Sequence, residues 1–113
     1  MHELSLAQSS CETVADHLTA DQRVVTVVVE WGPLSGVVPE ALDHCFAIVA
    51  QSLGLEGAKL ELRTLKAHAS CRVCGDEFEI DEMWAACPRC GHAPVTVVGG
   101  NEFRLKEIEV EDV

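Results

Sequence analysis

The amino-acid sequence predicts an α+β fold in which two helices pack on a small three-stranded mixed sheet, with a short cysteine-rich module inserted ahead of the last strand. Three observations indicate this arrangement. Two segments repeat apolar residues with the 3.6-residue period of a helix, and three others are rich in residues that favour strands. Two C-x-x-C motifs lie between the second and third strand segments. A chain of 113 residues is long enough for one domain with a small module.

The first two elements are a helix over residues 3–20 and a strand over residues 23–31. The strand is rich in valine and ends at a Gly-Pro pair, which favours a turn. Its apolar residues run together, so we expect it to be well buried. The helix carries one apolar stripe with the i, i+3, i+4, i+7 spacing, made of Leu4, Ala7, Cys11, Val14, Ala15 and Leu18.

A second helix is predicted to begin at Pro39 and to end at Gly54. Proline suits the first helical position because the N–H that it lacks would be unpaired there. Glycine is common just after the last helical turn. Cys11 and Cys45 each lie on an apolar helix stripe, so we interpret both as small core residues rather than metal ligands. The stripe of the second helix is formed by Leu42, Cys45, Phe46, Val49 and Leu53.

The last two predicted strands, residues 58–67 and 102–111, share an unusual pattern. In each strand the apolar residues alternate with polar ones and then change phase midway. A strand whose side chains repeat every two residues cannot do this without a bulge or strong twist, so we predict a matching irregularity in both. The apolar positions are 60, 62, 65 and 67 in one strand and 103, 105, 108 and 110 in the other.

The chain is strongly acidic, with 19 Asp and Glu residues against 8 Lys and Arg residues and a formal net charge of −11. This charge repels phosphate backbones, and aromatic residues that stack on bases are scarce, so nucleic-acid binding is not expected. The charge suits cations or a partner with a basic face. Solubility alone is the simpler explanation, so the acidity by itself defines no function.

No secretory or membrane segment is expected in this sequence. No basic region precedes an apolar stretch near the start, and the longest apolar run, Val24 to Val29, is too short to span a membrane. The predicted location is therefore cytoplasmic. In that compartment C-x-x-C pairs indicate metal ligands or redox centres rather than structural disulfides.

Two C-x-x-C-G motifs are predicted to bind one metal ion. Each motif places two sulfurs on one side of a tight turn, and the glycine lets the backbone turn towards the metal. The resulting shell of four sulfurs suits a structural Zn²⁺ ion, because no position remains open for a substrate. The ligands are Cys71, Cys74, Cys87 and Cys90. We therefore predict a zinc-ribbon domain over residues 70–96, inserted into an α/β domain formed by residues 1–69 and 97–113.

Three other interpretations of the cysteines stay open at this point. The same knuckles hold iron in rubredoxin-like electron carriers. The four cysteines could also form dithiol redox pairs, although two pairs at this spacing serve one metal better. A zinc ribbon could simply be a protein-interaction module. His92 follows the second knuckle directly, but an exposed loop histidine is its commoner role.

The amino-terminal residues Met1, His2 and Glu3 form a possible second metal site. The Met1 amine, the His2 amide and the His2 imidazole can close two fused chelate rings, and Glu3 can add its amide or carboxylate. Such tetragonal nitrogen and oxygen geometry favours Ni²⁺ and Cu²⁺. A chance histidine is the commoner explanation of these residues alone, and an acidic residue such as Glu3 also favours the first turn of a helix.

Taken together, these motifs closely resemble the HypA/HybF family of nickel metallochaperones, which act in hydrogenase maturation and, in some bacteria, urease maturation. The resemblance covers nearly the whole chain in the right order. It is carried by Met-His-Glu-Leu-Ser-Leu at residues 1–6, Leu34-Ser-Gly-Val37, Pro39-Glu40-Ala41-Leu42, Gly57-Ala58-Lys59-Leu60, both cysteine knuckles and Ile108-Glu-Val110.

The resemblance implies a carrier rather than an enzyme, with zinc as a structural cofactor and nickel as a transient cargo. It implies that His2 binds nickel with help from the Met1 amine and Glu3. It also implies delivery to the hydrogenase large subunit together with the GTPase HypB, with urease accessory proteins and homodimer formation left open. Trp31 stands where a smaller apolar residue is expected. The remaining histidines, His17, His44 and His68, have no assigned role.

Overall fold

The computed structural model describes residues 2–81, 85–93 and 95–113. Over these residues the fold is α+β, as predicted, with two helices and two three-stranded sheets. The elements in chain order are α1 (His2–His17), β1 (Gln22–Trp31), α2 (Pro39–Ser52), β2 (Lys59–Thr64), β3 (Ala67–Ser70), β4 (Glu77–Ile80), β5 (Thr96–Gly99) and β6 (Phe103–Asp112). In the described part of the chain, neither helix has the length and apolar character needed to cross a membrane.

The chain divides into two compact units. Unit 1 contains the chain up to Val29 together with Val37–Arg63 and Arg104–Val113. Unit 2 contains Glu30–Gly36 and Thr64–Phe103.

Unit 1 combines the two helices with a sheet in the order β2-β1-β6. Because β1 is the central strand, most of its valines are buried, including Val27 and Val29, which are 0% and 1% exposed. The helices α1 and α2 pack against each other. Most residues of their predicted apolar stripes form the rest of this core, but the stripe residues Leu4 and Leu53 are 42% and 40% exposed. The buried helix residues are Ala7, Cys11, Val14, Leu42, Cys45, Phe46, Val49 and also Ala50, which was not in the predicted stripe.

Side-chain pairs define the relative direction of β1 and β6. Arg23 forms an ion pair with Glu111, and the Thr26 hydroxyl donates a hydrogen bond of 3.1 Å to the Glu109 carboxylate. The residue number of the β6 partner decreases as the residue number on β1 increases, so the two strands run in opposite directions. β6 is an edge strand of this sheet, and its charged residues discourage pairing with other chains.

Unit 2 contains the second sheet, in the order β4-β3-β5. β3 pairs with β4 in antiparallel register from Ala67↔Ile80 to Ser70↔Glu77. β3 also pairs antiparallel with β5, and the register shifts between His68 and Ala69. The buried cluster of this unit is small and contains two cysteines, its members being Ala67, Ala69, Cys71, Ile80, Cys87 and Val95.

The prediction of one strand over residues 58–67 is wrong. The segment forms β2, which ends at Thr64 in the first sheet, and the start of β3, which begins at Ala67 in the second. Between them, the Leu65 N–H donates to the Trp31 carbonyl oxygen at 2.8 Å. The change of phase in the apolar pattern therefore marks a change of sheet and not a bulge within one strand.

In β6 the change of phase lies within one continuous strand. Phe103 and Leu105 are half-buried, Lys106 and Glu107 are both exposed, and Ile108 is half-buried again. The exposed pair marks the change of phase in the burial pattern of β6.

Unit 2 is larger than the zinc-ribbon domain predicted over residues 70–96. It includes all of β3 and β5, and it also includes the distant segment Glu30–Gly36. Besides the bond from Leu65 to Trp31, this segment is held by hydrogen bonds from Gly32 N–H to Glu102 O at 2.8 Å and from Leu34 N–H to Gly100 O at 2.7 Å. The approach is so close that a Cβ atom on Gly32 would lie 1.9 Å from the Gly100 carbonyl oxygen. Glycine is therefore required at position 32.

Candidate metal centres

The four predicted zinc ligands converge on one point of unit 2. The Sγ atoms of Cys71, Cys74, Cys87 and Cys90 all lie within 4.8 Å of one another. The distance is 3.5 Å from Cys71 to Cys90 and 3.7 Å from Cys74 to Cys87. A tetrahedral zinc site with Zn–S bonds of about 2.3 Å has S–S edges of about 3.8 Å. A disulfide needs about 2.0 Å, so these are four separate thiols with the spacing of a metal shell.

The first knuckle is closed by two backbone hydrogen bonds. Cys71 N–H donates to Asp76 O at 2.9 Å, and Gly75 N–H donates to Cys71 O at 2.9 Å. Gly75 has a φ of 78°, in the left-handed region that side chains disfavour. The turn leaves amides facing the sulfur, and Val73 N–H lies 3.4 Å from the Cys71 Sγ atom.

The second knuckle repeats this geometry. Cys87 N–H donates to His92 O at 2.9 Å, Gly91 N–H donates to Cys87 O at 2.8 Å, and Gly91 has a φ of 77°. His92 therefore serves this turn through its backbone, and its exposed imidazole is not among the clustered ligand atoms. Identical local turns explain why the two C-x-x-C-G motifs present their sulfurs in the same way.

The thiols of this cluster hold protons unequally in the absence of a metal. Backbone amides, first that of Cys74, lower the pKa of Cys71 to about 6. The Cys90 amide lowers the pKa of Cys87. The Asp76 amide lowers the pKa of Cys74, but burial and the neighbouring thiols outweigh it and raise that pKa to about 12. Thiols this close cannot all ionise without a cation between them, and a bound Zn²⁺ ion would deprotonate all four.

The amino-terminal residues are placed at the start of α1, and Met1 lies outside the described residues. His2 is exposed and is the first residue of the helix. The Glu3 carboxylate accepts a hydrogen bond of 3.2 Å from the Val38 N–H, which is the main reason why the pKa of Glu3 is lowered. Val38 is the N-cap of α2, and its own side chain makes no capping bond. Glu3 therefore caps the second helix.

Sequence analysis missed this role of Glu3. The available signal was the start of α2, where Val38 and Pro39 offer no Ser, Thr, Asp or Asn side chain to accept the free N–H groups. A distant acceptor was needed there, but nothing in the sequence identified it as Glu3.

The remaining histidines do not join either group of predicted ligands. His17 Nδ1 lies 2.8 Å from the Thr13 carbonyl oxygen, one helical turn earlier. His44 and His68 are exposed on α2 and β3. Within the ranges that the structure describes, the four cysteines are the one cluster of three or more His, Cys, Asp or Glu residues with metal-site spacing.

Cys11 and Cys45 are core residues, as predicted. Their exposed fractions are 0% and 5%. Burial raises the pKa of Cys11 to about 11, so this thiol stays protonated at neutral pH. A buried, protonated thiol packs as a small apolar side chain rather than as a ligand.

Comparison with known proteins identifies the family. The family model described as "Hydrogenase/urease nickel incorporation, metallochaperone, hypA" matches residues 1–110. The chain belongs to the HypA family. It is 42% identical over 113 residues to the hydrogenase maturation factor HypA of Albidiferax ferrireducens, covering 98% of this chain and 100% of that protein. It is 37% identical over 113 residues to HypA of Nostoc sp., covering 100% and 98%.

Solved structures agree with this assignment. The solution structure of the Ni metallochaperone HypA from Helicobacter pylori matches with a TM-score of 0.61 and 26% sequence identity, covering 95% of each chain. A second solution structure, of HypA protein, matches with a TM-score of 0.61 and 25% identity over 94% of this chain and 90% of that chain.

The family assignment confirms the resemblance found in the sequence. HypA proteins are nickel metallochaperones for hydrogenase maturation, so this chain is a maturation factor and not an enzyme. The family also favours nickel handling over rubredoxin-like electron transfer, which the cysteine motifs alone left open.

Proposed function

We propose that this chain binds Ni²⁺ at its amino terminus and delivers it to the large subunit of a [NiFe]-hydrogenase during maturation. The observation that carries the proposal is the family match over residues 1–110, which includes the Met-His-Glu terminus. The metal leaves unchanged, so the mechanism consists of binding and transfer and involves no catalytic residue.

The nickel site we propose uses the Met1 amine together with the amide and Nδ1 of His2. These three nitrogens form one five-membered and one six-membered chelate ring, which suits the square geometry of Ni²⁺. The Glu3 amide nitrogen completes the square. The Glu3 carboxylate is engaged by the Val38 N–H, which supports a role for the backbone of Glu3 rather than its side chain. Because the amine and the imidazole must lose protons, nickel affinity falls as the pH falls.

Zinc is proposed to occupy the four-cysteine site in a structural role. The S₄ donor set and the sulfur spacing fit Zn²⁺, and four protein ligands leave no position for a substrate. When bound, zinc supplies a crosslink between the two knuckles. The ligands Cys71 and Cys87 belong to the buried cluster of unit 2, so the same ion also completes that core.

The partners in the proposal are the hydrogenase large subunit and the GTPase HypB, in the cytoplasm. Urease accessory proteins are further candidates, and a homodimer would be compatible with the role. The net charge of −11 favours a basic docking surface on whichever partner contacts this chain.

Isothermal titration calorimetry with Ni²⁺ tests the binding site. The samples are the full chain with a native, untagged terminus, His2→Ala, a variant with one residue added before Met1, and the control His17→Ala. His17 is exposed on the same helix but lies at its other end. We expect about one nickel per chain for the native protein and the control, and loss of binding in the other two with zinc retained.

If all four proteins bind nickel alike, the terminus is not the site. The second candidate function, a zinc-ribbon interaction module, would then be the better account. The specific observation in its favour is the S₄ cluster, which needs no nickel. Delivery is tested separately by adding nickel-loaded native protein or His2→Ala to the apo large subunit and measuring the nickel that it acquires.

A further inference from the structure

A salt bridge connects the two cysteine knuckles. Asp76 directly follows the first knuckle, and Arg89 lies within the second, between Pro88 and Cys90. One guanidinium nitrogen of Arg89 donates to both carboxylate oxygens of Asp76, at 3.0 and 3.1 Å. The contact is a charge-assisted hydrogen bond from one nitrogen shared between two acceptor oxygens.

Asp76 is held to the first knuckle by its backbone. Its carbonyl oxygen accepts the Cys71 N–H at 2.9 Å, which is the bond that closes the turn. The backbone of Asp76 is therefore part of the knuckle, which limits the positions that its carboxylate can reach. The same residue thus contacts one metal-binding turn through its main chain and the other through its side chain.

Arg89 also brings a positive charge towards the sulfurs. Four thiolates around one Zn²⁺ ion leave a net charge of about −2. Arg89 lies one residue before Cys90 and two after Cys87 in the chain. It therefore adds a positive charge to the turn that carries these two ligands.

We propose that Arg89, held by Asp76, is a positioning residue that ties the two knuckles together and slows the release of zinc from the four-cysteine site. The proposal rests on the zinc assignment made above and is independent of nickel. Both side chains are largely open to solvent, at 69% and 41% exposure, so the pair contributes little to global stability. Its effect is on the escape of the metal, because one knuckle must separate from the other before zinc can leave.

The test is the rate at which the zinc-loaded full chain gives up zinc to an excess of the coloured chelator 4-(2-pyridylazo)resorcinol, followed by absorbance. Arg89→Ala and Asp76→Asn should release zinc about threefold to tenfold faster than the native protein, at the low end of what outer-shell partners contribute, because this pair is exposed. Arg89→Lys keeps the charge, so its rate should lie closer to the native rate. High salt should reduce the difference between native protein and Arg89→Ala.

Arg72→Ala is the matched control. Arg72 is the arginine of the first knuckle, but its Nε–H donates to the Thr96 hydroxyl of β5 at 3.0 Å rather than to a residue of the second knuckle. We expect its zinc release to match the native protein. In Co²⁺-substituted protein, removal of Arg89 should shift the thiolate-to-metal charge-transfer band to longer wavelength, because the neighbouring cation stabilises the sulfur electrons. Arg72→Ala should leave the band in place.

Two results overturn the proposal alone: release from Arg89→Ala at the native rate, or equal acceleration by Arg72→Ala. A native protein that binds no zinc overturns the zinc assignment and this inference together. Faster zinc release from Arg89→Ala with unchanged nickel binding supports the inference, even if the nickel proposal fails.

Discussion

Removal of zinc should unfold unit 2 and leave unit 1 folded. In the buried cluster of unit 2, as far as the structure describes it, Ile80 and Val95 are the larger aliphatic side chains, and the other members are two alanines and two cysteines. Burial of one such large side chain contributes about 1.5–3 kcal/mol. Zinc binding to a four-ligand site in small domains contributes about 10–16 kcal/mol at pH 7. The metal is therefore the larger source of stability for this unit.

Unit 1 has no such dependence. Its core contains Leu42, Phe46 and the valines of β1, all buried, and none of its described residues belongs to the cysteine cluster. Its helices and sheet should keep their native hydrogen bonds when zinc is absent.

Amide hydrogen exchange measured by NMR distinguishes the two units. The zinc-loaded protein is compared with protein stripped by a chelator under reducing conditions at pH 7.5. We expect amides of β3, β4 and β5 to lose protection and amides of β1 and α2 to keep it. Protection of β3–β5 that persists without zinc would refute this reasoning, because the apolar core would then be sufficient by itself. Loss of protection throughout both units would refute the claim of independent stability.

Two further predictions concern residues outside the zinc site. Cys11→Ser should destabilise the protein by about 1–3 kcal/mol, because a buried hydroxyl loses its water partners, whereas Cys11→Ala should destabilise it less. Urea unfolding measures the stability of both variants. Loss of zinc from either variant would contradict the assignment of Cys11 to the core. Glu3 has a pKa below its usual value of 4.5, since its charged form bonds the Val38 N–H. Its contribution to stability is therefore fully present above pH 4.5 and is lost as the pH falls through the lowered pKa. The stability difference between native protein and Glu3→Gln should shrink over that range, as measured by urea unfolding at several pH values.

Local patterns were sufficient for much of the fold and for the four-cysteine site. The apolar stripes of α1 and α2 follow from the helical period, so the middle of each buried face could be predicted, whereas Leu4 and Leu53 near the helix ends are exposed. The C-x-x-C-G motifs fold as local turns, and a single contact between two such turns brings four sulfur atoms together. The four clustered cysteines were therefore identifiable from spacing, while the nickel proposal depended on family resemblance at residues 1–3.

Interactions between residues far apart in the chain could not be predicted in this way. The phase change at Leu65 was visible, but periodicity within a strand does not say which strand will be its partner, so a change of sheet looked like a bulge. The segment Glu30–Gly36 joins unit 2 through bonds to residues about 70 positions later. No local property of that segment distinguishes it from an ordinary turn.

The sequence by itself determined the fold class, the two amphipathic helices, the four clustered cysteines and the family. Each of these depends on periodicity or on short motifs, whose geometry is set by the backbone within a few residues. The tertiary structure alone decided that Glu3 caps α2 through Val38 and that Asp76 binds Arg89 across the knuckles. Both contacts join polar side chains to groups on other turns or helices, and such partners are selected only when packing of the apolar residues has brought their elements together.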